Sequence, residues 1–353
     1  MKYFNLISLS LLFAILLSAC SDDDANMNVP EPPEDDDVTE PEVVDFENGK
    51  LVLNEGGTGT VTFINDDSTE IKKSIFQEVN PDDDLGQFVQ SMFFHDGLAY
   101  IISNGSNLIT VVDRITFEKV GEVAGGLEVP RYGTVHNGKA YVTNLASFTS
   151  TTDDFVAVIN LESLAVESTI EINNTAEQII SFDENLYVMN AAFGEGSEIT
   201  IIDPAELTTE TLNIGDGLNS IKRNGNSIYA LSNSSLTEID LSTETIVNTQ
   251  SVPDAISGAK NLDLTDSKIY YTFENKVYRS DYSDSTLSDS EFITYNSTSD
   301  FGTMYGFDVI DNEIYIADAV DFTSNGFVRI YDIDGNFIEE IEVELAPNGV
   351  YKN

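Results

Sequence analysis

A short phrase returns seven times along this chain, and its spacing limits the fold more than any other feature. "GLAYIISN" ends at Asn104, "GKAYVTN" at Asn144, "ENLYVMN" at Asn190 and "NSIYALSN" at Asn233. "SKIYYTFEN" ends at Asn275, "NEIYIAD" at Asp318, and a degenerate "GKLVLN" at Asn54. The anchors Val52, Tyr100, Tyr141, Tyr187, Tyr229, Tyr270 and Tyr315 are 41 to 48 residues apart. Each phrase is followed by a second alternating run, such as "ITVVDRITF" or "VAVINLESL", then a turn and a further strand such as "EKVGEV" or "FIEEIEV". Four short strands in a period of roughly 40–50 residues are the signature of a β-propeller blade. Amphipathic helical periodicity is almost absent, which argues against an α-solenoid or a βαβ sheet. The repeated tyrosine reads as an aromatic packed between adjacent blades.

The innermost strand of a blade precedes each phrase: "QSMFFH", "YGTVHN", "QIISFD", "SIKRNG", "NLDLTD" and "MYGFDVID". That makes six, one short of the seven phrases. The first phrase, Gly49 to Asn54, has no such strand before it, whereas "NGVYKN", Asn348 to Asn353, is left over after the last outer strand. The sequence therefore predicts an all-β, seven-bladed propeller whose C-terminal strand pairs with the N-terminal blade, protecting the edges where the ring closes. Asn137-Gly138, between two strand-like runs, fits a type I′ hairpin turn, which needs positive φ at both central residues.

The ends of the chain are of another character. Lys2 and an apolar run to Leu17 lead into "LSAC", which resembles a bacterial lipobox ending on Cys20, the only cysteine. Residues 1–20 are then a lipoprotein signal peptide, too short and too interrupted for a membrane span. Lipidation of Cys20 leaves no thiol for a disulfide, a metal or a nucleophile. Residues 21–47 are acidic and proline-rich and read as a disordered, self-repelling tether; residues 48–353 form the propeller. "CSDDD" resembles the acidic signal that sends some lipoproteins to the outer face of the outer membrane; otherwise it is a spacer on the periplasmic side. The net charge of −46 makes nucleic acid an unsuitable partner.

Strands of a propeller alternate in direction, so loops sort onto two faces. The loops after the terminal asparagines share the mouth of the channel with the blade-to-blade connections. Three of those loops are long and each carries one phenylalanine, Phe148, Phe193 and Phe322; such a ring either meets a ligand or folds back as a local plug. Gln90, Arg131, Tyr132, Gln178, Asn219, Lys260 and Tyr305 of the connections are expected at the mouth as ligand-binding residues. Arg131 and Lys260 stand out in a cation-poor domain, although a salt bridge accounts for either alone. His95 and His136 fall on the opposite face, unsuited to act as a general base there or to share a metal. No catalytic residue, metal ligand or cofactor is expected. "NPDDDLG", Asn80 to Gly86, leaves a loose calcium site open against a solvated turn, but lacks the ligand alternation of an EF-hand.

"GKLVLNEGGTGTVTFIND", "LGQFVQSM", "LITVVDRITFEKVGEV" and "VPRYGTVHNGKAYVTN" resemble the YncE-like, YVTN-type propeller lipoproteins of Gram-negative surfaces, over Gly49 to Asn353. Members of that group capture cobalamin and pass it to a TonB-dependent outer-membrane transporter, and relatives are thought to serve siderophore uptake. The resemblance implies a monomeric, surface-anchored capture module for a large, amide-rich nutrient. The alternatives are a propeller enzyme, lactonase-like and calcium-dependent, and a protein-binding scaffold or adhesin, because propeller folds host all three.

Overall fold

The computed structural model describes residues 45–298 and 301–353. Cys20, the signal peptide and the tether up to residue 44 lie outside the described residues. Seven four-stranded antiparallel sheets form the ring. Blades 2 to 7 are each continuous in sequence, beginning at innermost strands Val89–His95, Pro130–His136, Ile179–Phe182, Ser220–Asn224, Lys260–Leu264 and Gly306–Ile310. Blade 1 is discontinuous: Pro347–Lys352 pairs antiparallel with Gly49–Asn54, setting Tyr351 opposite Leu51 and Val350 opposite Val52. The closure expected from the unpaired C-terminal phrase is therefore present.

The tyrosines are interblade packing, as their period requires. Tyr100 shares a cluster with Val142 and Ala157 of blade 3, Tyr187 with Ile228 and Ile239 of blade 5, and Tyr270 with Ile314 of blade 7. Tyr315 of blade 7 packs with Val52 and Val350 of blade 1, so the apolar seam runs across the closure. Burying one such side chain contributes about 1.5–3 kcal/mol, and the repeat multiplies it around the ring. Asn137 and Gly138 have φ of 45° and 75°, the type I′ geometry that the dipeptide favours.

Two local features depart from the sequence reading. The short helix Ile75–Val79 follows the two-residue outer strand of blade 1 and buries Ile75 and Phe76. One and a half turns are too few to leave a periodic trace. Phe46, assigned to the tether, is fully buried, its ring edge-on to Phe63 and Phe117 and its amide donating to Ile115 O at 2.8 Å. It is the one aromatic between residues 21 and 47, and its ring enters the domain core. Among the described residues no helix is long and apolar enough to cross a membrane.

Candidate functional site

A cavity of about 1020 Å³ opens where the innermost strands begin and is lined from all seven blades. Close approach of the strands needs small residues: a Cβ on Gly133 would lie 2.3 Å from the Phe93 ring of the neighbouring blade. The wall is stitched by side chains that reach from one innermost strand to the next. Ser91 Oγ donates to Arg131 O (2.6 Å), Asn219 Nδ2 to Ala259 O (2.9 Å), Asn261 Nδ2 to Met304 O (3.0 Å) and Asn348 Nδ2 to Val89 O (2.8 Å). Gln178 Oε1 accepts from Ile221 N at 2.8 Å.

Arg131 is the strongest electrostatic feature at the mouth. Glu177 grips it with both carboxylate oxygens, at 2.9 Å to Nε and 2.6 Å to the second guanidinium nitrogen, and Gln90 Oε1 accepts from the remaining arm. Burial opposes the Arg131 charge, but the Glu177 carboxylate outweighs it and raises the guanidinium pKa. Burial, aided by the charge of Glu177, pushes the Tyr132 phenol up to about 12, so it remains a neutral hydroxyl at physiological pH. Such a bidentate pair fixes the guanidinium plane without supplying net charge.

Aromatic rings stand above this polar layer. Phe148 and Phe193 are 68% and 74% exposed and lie 6.2 Å apart, so they project from the loops rather than plug them. Arg131 Cζ is 5.8 Å from the Phe193 ring. The loop carrying Phe148 is held at its base by buried Asp154, whose Oδ2 accepts from Ala176 N at 2.8 Å while Oδ1 has no partner. Burial, reinforced by Asp153 and Glu177, pushes that carboxyl up to about 7. On the blade 7 side Tyr305 and Phe322 meet edge to face at 4.9 Å, and the Tyr305 hydroxyl donates to Glu55.

Of the residues expected at the mouth, Gln90, Arg131, Tyr132, Phe148, Gln178, Phe193, Asn219 and Tyr305 line the cavity. Lys260 does not: a register shift between Lys260 and Asp263 puts Asn261 at φ 54°, and Asn261 faces the cavity while Lys260 is exposed outside it. Phe322 touches the site only through Tyr305. His95 and His136 end their strands away from the cavity; His95 pairs with Asp96 at 3.2 Å and His136 packs on Tyr141. In the acidic stretch, Asp83 accepts from Lys119 (3.0 Å) and Asp84 from Gly86 N (2.8 Å). Among the described residues no three His, Cys, Asp or Glu side chains gather as a metal site would need. Sequence reasoning missed Phe88, Glu55, Lys222, Asp263, Asp308 and Tyr351, all on the cavity wall. The last four sit on innermost strands taken only as scaffold. A signal was available, since Lys222, Asp263 and Asp308 each stand seven residues before a repeated tyrosine.

Ring closure, the interblade tyrosines and a wide polar mouth define a seven-bladed β-propeller with a cavity that follows its innermost strands from the mouth inward. The chain belongs to the family described as a domain of unknown function, DUF5074, whose model matches residues 48–348. No curated protein matches it in sequence. Among solved structures it is similar to a quinoprotein alcohol dehydrogenase-like protein from Bacteroides thetaiotaomicron (TM-score 0.65, 15% identity, covering 88% of this chain and 79% of that one). A functionally unknown protein from Desulfotomaculum acetoxidans matches with TM-score 0.64 and 12% identity, over 86% and 98% of the two chains. BamB from Moraxella catarrhalis matches with TM-score 0.52 and 14% identity, over 86% and 85%. At these identities the likeness is one of fold, shared by proteins of differing roles.

Proposed function

We propose that this protein is a non-catalytic capture module: a lipoprotein anchored through Cys20 at the outer membrane, facing the cell exterior, that binds a large polar nutrient over its channel mouth. Cobalamin is the leading ligand and a ferric siderophore the second, with release to a TonB-dependent transporter. The observation that carries this reading is the mouth itself. Its cavity of about 1020 Å³ is at the upper end of the range for small-molecule sites, and its rim holds two exposed phenylalanines above a fixed Arg131–Glu177–Gln90 network. Rigid rings supply contact area at low entropy cost, and a neutralised guanidinium supplies direction without attracting every passing anion. Isothermal titration of the propeller with cyanocobalamin, and separately with ferric siderophores, tests it. Saturable heat from one of them supports capture, and no heat from either removes both named ligands. Co-purification of a TonB-dependent transporter from outer-membrane extract tests the hand-over.

A further inference from the structure

Across the first ladder of each blade, the anchor of the repeat faces one residue of the innermost strand. Around the ring these are Val350, Phe93, Thr134, Ile180, Lys222, Asp263 and Asp308. Charge occurs in this layer on three consecutive blades and on no other. The chain has 16 basic residues against 62 acidic ones, so a lysine placed here, inside the cavity, is conspicuous.

Its geometry is unsaturated. Lys222 Nζ lies 3.6 Å from Asp263 Oδ1 and 4.0 Å from Asp308 Oδ1, too far for direct hydrogen bonds. Asp263 is held through Oδ2 by Val309 N (2.8 Å) and through Oδ1 by Leu264 N (2.8 Å). Asp308 is held through Oδ2 by Val350 N at 2.8 Å. The backbone thus fixes both carboxylates, while one lone-pair side of each, together with the three ammonium donors, remains unfilled on the cavity wall. Asn348, on the adjoining strand, adds an acceptor oxygen with no donor.

Which group satisfies such a set? A carboxylate suits Lys222 but meets two like charges. An ammonium suits the carboxylates but meets Lys222. A primary carboxamide is neutral, with one carbonyl acceptor and two N–H donors. We propose that Lys222, Asp263 and Asp308 form a subsite for a primary carboxamide, whose oxygen accepts from Lys222 and whose two N–H bonds point to Asp263 and Asp308. This deepens the capture reading and rests on it: the rim holds the body of the ligand, and the deeper triad selects an amide-bearing arm. Specificity here comes from like-charge repulsion: the acid meets the carboxylates of Asp263 and Asp308, and the amine meets Lys222.

The test uses the whole propeller, isotope-labelled for NMR, with propionamide, propionate and propylamine as probes at equal millimolar concentrations. The amides of Val309 and Val350, which clasp the two carboxylates, are the reporters. Propionamide should shift them saturably, with the acid and the amine about tenfold weaker. Asp308→Asn keeps an acceptor for Val350 N but turns a donor toward the cavity, so the variant should move its preference from propionamide to propionate. No saturable shift from propionamide, equal binding of the three probes, or an unchanged preference in Asp308→Asn overturns the subsite. Cyanocobalamin and its monocarboxylate, in which one arm's amide is hydrolysed, separate the two proposals. If cyanocobalamin fails to bind while propionamide discriminates, the named ligand falls and the subsite stands. If cyanocobalamin binds wild type and Asp308→Asn alike and the probes do not discriminate, capture stands and the subsite falls.

Discussion

Opposite the repeated tyrosine, blades 2, 3 and 4 carry Phe93, Thr134 and Ile180, whereas blades 5, 6 and 7 carry Lys222, Asp263 and Asp308. The same position in the same repeat makes a neutral wall on one side of the channel and an ionised wall on the other. The stitching differs in the same way. Between blades 3 and 4 it is hydroxylic, Thr134 to Ser181 at 2.9 Å and Ser181 to Val135 O at 3.0 Å. Between blades 6, 7 and 1 it is carboxylate to backbone N–H. The neutral wall carries its charge higher, in the Arg131–Glu177 pair at the mouth. A repeat conserves packing and leaves its innermost edge free to vary, so one ring holds two chemistries at two depths.

Both walls depend on the strand where they meet. Deleting Pro347–Asn353 removes the innermost strand of blade 1 together with the Val350–Asp308 and Tyr351–Met92 contacts. The largest effect is expected here: loss of a cooperative thermal transition, since a domain has only about 5–15 kcal/mol in hand. An unchanged melt would show that the ring does not need closing.

On the neutral wall, Glu177→Ala leaves Arg131 as a buried charge without its partner. It should cost about 3–5 kcal/mol in urea unfolding, and a loss below about 1 kcal/mol would mean that water reaches the guanidinium.

On the ionised wall the expected signature is pH dependence. Lys222, Asp263, Tyr351 and the Val350 amide all face Asp308. Burial pushes its carboxyl up to about 6, with Lys222 only partly offsetting. A raised folded-state value means that the folded chain holds the proton more tightly than the unfolded one. That stabilising contribution is complete below the unfolded value, near 3.8, and is lost as pH rises through about 6. Relative to wild type, Asp308→Asn should therefore gain roughly 1–3 kcal/mol between those limits. Asp154, pushed up to about 7, has the same sign, so Asp154→Asn serves as the comparison from the other side of the ring. A wild-type-minus-variant stability that is flat with pH for Asp308→Asn would mean that water reaches the Asp308 carboxylate and that burial does not hold its proton.

The smallest structural effect belongs to the rim. Phe148→Ala with Phe193→Ala should leave stability within about 0.5 kcal/mol, because both rings are exposed. The same pair should weaken cyanocobalamin binding by tenfold or more, about 1.4 kcal/mol; unaltered titration would remove the rings from recognition.

The sequence carried the fold almost completely, because one packing rule written seven times survives drift in individual residues. Tyr100 packs with Val142 and Ala157 and Tyr270 with Ile314 and Met304, yet each fills the same seam. The missing innermost strand also announced where the chain must close. The mouth was legible where the residue at the head of an innermost strand turns inward, as for Gln90, Arg131 and Gln178, the first two even within register shifts of their own. Lys260 was misplaced because its shift carries the left-handed turn at Asn261, directly after it, a backbone event with no mark in composition. The Lys222 triad was overlooked for another reason. Its members are 41 and 45 residues apart, and none is unusual until three blades set them side by side.

Phe46 has a mechanical consequence. It docks between Ile115, in the turn joining the third and outer strands of blade 2, and Asn353, which follows the innermost strand of blade 1. Its amide donates to Ile115 O and its carbonyl accepts from Asn353 Nδ2, so the start of the domain is clasped between the outer hairpin of blade 2 and the strand that closes blade 1. Unseating that one ring would therefore loosen the seam between the first two sheets and the closing strand together.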